Sequence, residues 1–294
     1  MELLTYCPIC NNIEFSNFLK TKDYFYSKKE FTIQECLSCG FRFTNPRPQE
    51  FEINSYYDSE NYLSHSSQKR GLIPYFYNLI KNISIKKKFN LINNLTSGNS
   101  ILDIGSGSGE FLNYFNKNHW QTLGIEPNEY ARSYAKSTYS LDVQDETYLP
   151  NIKDNSFDII SMWHVLEHIP YLNERIIQVK RILKDNGIII IAIPISNSFD
   201  AKYYNKFWAA FDLPRHFYHF TQSSFTKLMV KHHLSIEKII PLIFDSFYIS
   251  MVSEKYKTGN SKILNSCLIG LRSNLSAYFG NKDYSSLIFV IKRQ

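Results

Sequence analysis

Residues 101–111 read ILDIGSGSGEF. The run opens apolar apart from Asp103, and glycines then occupy every second position at Gly105, Gly107 and Gly109. A short apolar run that breaks into glycines reads as a buried strand turning tightly into a helix. Such loops hold dinucleotides, nucleotide phosphates or nucleosides without phosphate, and the spacing separates the three. A dinucleotide loop needs G-x-G-x-x-G so that a pyrophosphate meets the helix N-terminus. Here the pattern is G-x-G-x-G, and Glu110 would repel a pyrophosphate. A P-loop continues into Lys and then Ser or Thr, and no Lys follows these glycines.

S-adenosylmethionine (SAM) has no phosphate; it carries an amino-acid end, a ribose and an adenine around a sulfonium cation. Its site calls for close backbone approach plus carboxylates. Gly105, Gly107 and Gly109, with Asp103 just ahead, supply both. The alternative is a βα turn with no ligand, and the flanking sequence weighs against it.

From Ser100 onward short apolar runs alternate with amphipathic stretches, the signature of an α/β domain with a parallel sheet. Strands are expected at Ile101–Ile104, Thr122–Glu126, Leu141–Asp145, Phe157–Trp163, Ile188–Ile193, Ile236–Ile240 and Leu287–Lys292. Helices are expected after the glycines, after Pro127, at Leu172–Lys184 with Gly187 near its end, and near Ser223–His232. Ligands of such sheets bind beyond the carboxyl ends of the strands. Glu126 ends the second strand, 23 residues after Asp103, where a carboxylate can accept from both ribose hydroxyls. Asp145 ends the third and can take the adenine amino group, although strand-end acids also serve as caps.

These stretches resemble class I SAM-dependent methyltransferases over about residues 96–294. LDIGSGSGEFL matches that family's first motif, GIEPNEYA resembles the second with Glu126 in the ribose role, and FDIISMWHVLEHI resembles the strand-four motif of small-molecule enzymes. The resemblance implies a Rossmann-like α/β fold with a seven-stranded, mostly parallel sheet, and methyl transfer from SAM. It also places His164, directly after strand four, against the adenosyl pocket.

Four of the five cysteines lie near the start, as Cys7-Pro-Ile-Cys10 and Cys36-Leu-Ser-Cys39, with 25 residues between the pairs. Two such knuckles match a four-cysteine zinc ribbon, each placing two thiolates beside one tight turn. A redox pair would need one C-x-x-C, not two. With four protein ligands the zinc is expected to be structural. Asn45-Pro46-Arg47-Pro48 follows as a stiff connector. The knuckles followed by NPRP resemble a zinc-binding module that precedes such domains in some bacterial enzymes. The expected organisation is a zinc ribbon over 1–48, a helical cap over 49–95 with helical spacing from Leu72 to Leu95, and the methyltransferase domain over 96–294.

The chain has 294 residues, 44% of them hydrophobic and 20% charged, with a net charge of +6. That balance permits anionic partners but falls short of a dedicated nucleic-acid binder. The start has neither a basic nor an apolar leader segment, no run is long enough to span a bilayer, and a cytoplasmic protein is expected.

Methyl transfer is an in-line displacement at an already activated carbon, so the protein mainly aligns the reactants and removes a proton. The histidines cluster in WHVLEH (His164, His168) and in DLPRHFYH (His216, His219). The second stretch follows strand five, where related enzymes place substrate recognition. His216 is the expected base, ahead of His219, and Arg215 the expected clamp for an anionic group; an aromatic lid with satisfied histidines is the structural reading. Tyr57, Tyr62 and His65 are expected to fold over the donor, and Asp245–Tyr256 to line the acceptor side or to form a half-buried strand and loop.

Three functions remain open. The first is methylation of a metabolite, a sugar or a lipid-linked precursor. The second is RNA methylation with the ribbon recruiting nucleic acid, which the modest charge and the absence of an N-P-P-Y motif after strand four disfavour. The third is SAM binding without chemistry.

Overall fold

The computed structural model describes residues 1–56 and 72–294. Tyr57, Tyr62 and His65 lie outside them. Along the chain come β1 (Phe15–Lys22), β2 (Glu30–Cys36) and β3 (Arg42–Thr44), then the short α1 (Glu50–Ile53) and the long α2 (Leu72–Asn93). The α/β alternation follows as β4 (Ser100–Ile104), α3 (Glu110–Lys117), β5 (Gln121–Ile125), α4 (Glu129–Tyr139), β6 (Val143–Gln144) and β7 (Phe157–Trp163). It continues through α5 (Leu172–Ile182), β8 (Leu183–Pro194), α6 (Phe199–Tyr204), β9 (Tyr218–His219), α7 (Gln222–Lys231) and β10 (Leu234–Pro241). The chain ends with α8 (Asp245–Thr258), α9 (Ile263–Phe279) and β11 (Ser286–Arg293).

A seven-stranded sheet has the order β10-β11-β8-β7-β4-β5-β6. β4 pairs in parallel with β5 on one side and β7 on the other, and β5 pairs in parallel with β6. Because the chain leaves β4 first to one side and later to the other, the strand order reverses there, which is where such sheets open a ligand crevice. All five residues of β4 are buried, as expected for a central strand covered on both faces. Gly187 was expected near a helix end but lies inside β8, because α5 stops at Ile182 and the strand begins at the next residue. Asp245–Tyr256 forms a helix: buried Ser246, Ile249, Ser250 and Ser253 recur at helical spacing and leave no strand there.

The chain divides into two compact units. One comprises Ser59–Trp163, Glu174–Ile190 and Ile291–Gln294 and holds the glycine loop. Its core includes Ile101, Leu102, Phe115 and Ile159, all fully buried. The other comprises Met1–Asp58, His164–Asn173 and Ile191–Val290. It contains an antiparallel sheet of order β1-β2-β3-β9, in which Phe43 of the cysteine-rich segment pairs with Tyr218. Phe31 and Ile33 of β2 pack with Tyr204, Trp208, Phe211 and Ile249. The knuckle segment thus shares both a sheet and a core with the DLPRHFYH stretch.

Candidate active site

Gly105, Gly107 and Gly109 have φ of 74°, 54° and 82°, values a side chain makes costly. At Gly109 a Cβ would also lie 2.8 Å from both Ala135 Cβ and Leu141 Cδ1, whereas around Gly107 the space is open to 4 Å. The amides of Gly105 and Ser106 donate to Ile125 O at 2.7 and 3.1 Å, fastening the loop to β5. Glu126 fastens it again, accepting from Gly107 N at 2.8 Å and Asn128 N at 3.0 Å. Its carboxyl is buried, and burial raises its pKa against the pull of those two amides. Glu110 is matched by Lys81 at 2.8 Å.

Asp103 is buried on β4 and accepts a 2.6 Å hydrogen bond from Ser161 on β7. Burial pushes its pKa up to about 7, opposed by the Ser161 bond and by Lys88. Asp145 remains partly exposed; it caps the following turn through Thr147 N at 3.1 Å and pairs with Arg132 at 3.1 Å. Arg132 in turn donates to the carbonyls of Glu126 and Pro127 at 2.8 and 2.7 Å. Ser106 Oγ and Trp163 Nε1 are buried with no hydrogen-bond partner among the described residues.

The other unit gathers the histidines. His164 has φ 57° and donates its amide to Ala192 O at 2.9 Å. Its Nε2 lies 3.0 Å from Asp245 Oδ2 and its Nδ1 3.7 Å from Glu167 Oε1. Burial lowers its pKa, but the two carboxylates prevail and lift it to about 9. Glu167 is fully buried, and neither carboxylate oxygen has a hydrogen bond among the described residues. Glu167, His168 and His216 each bring a donor atom within 4.8 Å of the others, and the two imidazoles meet edge to face at 4.4 Å.

His216 Nδ1 lies 2.9 Å from Ala210 O. A carbonyl can only accept, so Nδ1 carries the hydrogen and Nε2 the lone pair. Burial and then His168 hold the His216 pKa well below the ordinary imidazole value. Thr44 Oγ1 donates its one proton to His216 O at 2.7 Å, so His219 donates from Nε2 to Thr44 Oγ1 at 3.0 Å. Burial and then Arg42 push His219 down to about 3. Arg215, expected to grip an anionic ligand, is bidentate to Asp212, reaches Asp23 at 3.5 Å and donates to Tyr56 O at 3.1 Å. Its charge is therefore already matched within the fold.

The sequence pattern of the family described as "methyltransferase domain" matches residues 79–239, more than half of the 294-residue chain. The chain belongs to this methyltransferase family. An uncharacterized protein of Methanocaldococcus jannaschii, MJ1252, is 30% identical over 156 residues, which is 50% of this chain and 60% of that protein. The match thus spans less than two thirds of that relative. A SAM-dependent methyltransferase of Thermotoga maritima, a possible histamine N-methyltransferase, shares the fold at TM-score 0.52 and 18% identity, over 83% of this chain and 98% of that one. A SAM-dependent methyltransferase of Archaeoglobus fulgidus gives TM-score 0.47 and 19% identity, over 72% and 94%.

The loop unit suits the SAM that the sequence resemblance implies. The open face of Gly107, the orphaned Ser106 hydroxyl and Glu126, whose oxygens each retain a lone pair, are groups a nucleoside with an amino-acid end would engage. Ser161, Arg132 and the pairing of His164 with Glu167 and Asp245 were not foreseen. Ser161 left a signal, a hydroxyl inside the apolar strand FDIISMW; the stretch Asp245–Tyr256 was singled out, but nothing in it pointed to His164 as the partner of Asp245.

Asp103 also makes stability depend on pH. Its folded pKa of about 7 exceeds the ordinary 3.8, so the folded chain binds the proton more tightly. Its contribution to stability is therefore complete below the ordinary value and falls as pH rises to about 7, by on the order of 4 kcal/mol. Asp103→Asn keeps an acceptor for Ser161 and should flatten that decline. Chemical denaturation of both proteins across pH 4 to 8 checks it; parallel stability curves would refute it.

Proposed function

We propose that the methyltransferase acts on a small-molecule acceptor, a metabolite, a sugar or a lipid-linked precursor, with His216 accepting the proton. The observation that carries this reading is the neutral, tautomer-fixed imidazole of His216, with the buried carboxylate of Glu167, which has no hydrogen bond among the described residues, within 4.8 Å. SAM supplies a methyl carbon activated by the sulfonium and departs as a neutral thioether. His216 Nε2 takes the proton from the acceptor's hydroxyl or acidic carbon as the new bond to the methyl forms. Glu167, within 4.8 Å, offsets the resulting positive charge through space, while Ala210 O holds the ring through Nδ1–H. His219 is the weaker candidate, since its Nε2 is committed to Thr44. Arg215 holds the loop in place by joining it to Asp23 and Tyr56. Glu126 takes the ribose, and Asp145 the adenine edge.

We assign a structural zinc ion to Cys7, Cys10, Cys36 and Cys39. Their sulfurs lie within 4.8 Å of one another, with Cys7–Cys39 and Cys10–Cys36 each at 3.5 Å. A tetrahedral ion with Zn–S near 2.3 Å needs sulfur–sulfur edges of about 3.8 Å. The amides of Ile9 and Cys10 face Cys7 sulfur, and those of Ser38 and Cys39 face Cys36. Gly40, with φ 74°, makes the bend. The reading includes a reducing, cytoplasmic setting, in which thiolates persist.

The test begins with methyl-labelled SAM and cell extract to isolate the labelled acceptor. His216→Ala should then bind S-adenosylhomocysteine normally and lose at least about 100-fold in turnover. Full turnover would remove His216 from the role, and label recovered in RNA would overturn the acceptor class.

A further inference from the structure

Helix α9 buries mostly small residues, with Ile269 the large one among them, and exposes a face of large ones. Ser266, Gly270, Ser273 and Ala277 face inward. Ser273 donates to Asp200 at 2.7 Å, and a Cβ on Gly270 would lie 2.8 Å from Phe247. The opposite face carries Leu264, Leu268, Leu271, Leu275, Tyr278 and Phe279, exposed by 47 to 84%. At 100° per residue these six fall within an arc of roughly 100°, and the stripe runs for about 22 Å. Isolated exposed leucines need no explanation, but a continuous stripe of this kind marks a surface that is covered in use.

Charge decides what covers it. Lys262 stands at the start of the helix, Arg272 flanks the stripe and Lys282 follows its end, all three exposed. The helix contains no acidic residue. A second copy of the chain docking face to face would bring these cations against their own kind, which is unfavourable. An anionic lipid surface complements them while the leucines enter the acyl boundary. No described helix is long and apolar enough to cross a membrane, so the geometry is that of a helix lying in the interface.

We propose that α9 docks the methyltransferase onto an anionic membrane surface, with the leucine stripe inserted and Lys262, Arg272 and Lys282 at the headgroups. Resting on the acceptor reading above, this favours the lipid-linked member of the proposed classes.

The experiment is co-sedimentation of the full chain with phosphatidylcholine vesicles containing about one quarter phosphatidylglycerol, compared with phosphatidylcholine alone. Binding is expected only to the anionic vesicles, weakening as salt rises. The pair Leu268→Ser and Leu271→Ser should lower the partition coefficient at least about tenfold, with S-adenosylhomocysteine affinity unchanged as proof of folding. Absence of binding, or equal binding by the folded variant, would overturn the proposal. So would a dimer in sedimentation velocity that the same pair of substitutions dissolves without any vesicle binding. None of these readouts depends on methyl transfer, so a failed acceptor assignment leaves the result interpretable.

Discussion

Glu126→Ala is expected to weaken S-adenosylhomocysteine binding by about 100-fold or more while the chain stays folded. On the proposed ribose role, the magnitude is that of two charge-assisted hydrogen bonds at about 1.5–3 kcal/mol each. The substitution also releases the amides of Gly107 and Asn128, which Glu126 holds at 2.8 and 3.0 Å. The loop therefore loses both a ligand group and a fastener. Gly105 and Ser106 remain tied to Ile125 O, so the turn should persist and the loss should appear in affinity before it appears in melting temperature. Asp145→Asn is the informative contrast. Its carboxylate is 43% exposed and already serves Thr147 and Arg132, so a loss below about tenfold is expected, because one screened hydrogen bond is worth about 1 kcal/mol. Calorimetric titration of the three proteins separates the cases. Equal affinities for Glu126→Ala and the parent would mean that the ribose is held elsewhere.

Much of the parallel sheet was legible because its strands are bounded apolar runs. Phe157–Trp163 matches β7 end to end, and Ile101–Ile104 and Leu287–Lys292 fall within β4 and β11. The glycine loop was legible for a related reason, since alternate positive φ values leave little choice of residue. What escaped is non-local or reversed in pattern. Nothing in Tyr218–His219 announces a partner at Arg42–Phe43, because a two-residue strand is defined by what it pairs with. α9 was not foreseen, since a helix that buries Ser, Gly and Ala while exposing Leu inverts the usual inward periodicity. The surroundings of the side chains within DLPRHFYH were half legible. Histidine and arginine content pointed to the stretch, but only the carbonyl of Ala210, the hydroxyl of Thr44 and the carboxylates of Asp212 and Asp23 distinguish His216 from His219 and show that Arg215 is already paired.

That non-local pairing makes the cysteine cluster consequential for the histidines. In the double variant Cys36→Ser and Cys39→Ser, zinc content should fall from one equivalent to none, and the knuckle segment should unfold, because the metal supplies most of the folding energy of such modules. The damage should then spread. Thr44 bridges His216 O and His219 Nε2, and Phe43 pairs with Tyr218. Asn173 and Lys231 both donate to Pro8 O, at 2.9 and 2.7 Å, and Lys227 donates to Cys39 O at 2.9 Å. Losing these bonds releases β9 and the loop that orients His216. The glycine loop and Glu126 take their hydrogen bonds from β5 and from each other, so donor affinity should change by less than about threefold while turnover falls at least about 100-fold, the range over which misplaced catalytic groups act. Thr44→Val isolates the link: it should keep the zinc and lose about tenfold in turnover through two broken hydrogen bonds. Elemental analysis, hydrogen exchange over residues 1–48 and 212–220, and donor titration read the three effects separately. Full turnover in a zinc-free chain would show that the knuckles fold for some purpose other than supporting His216.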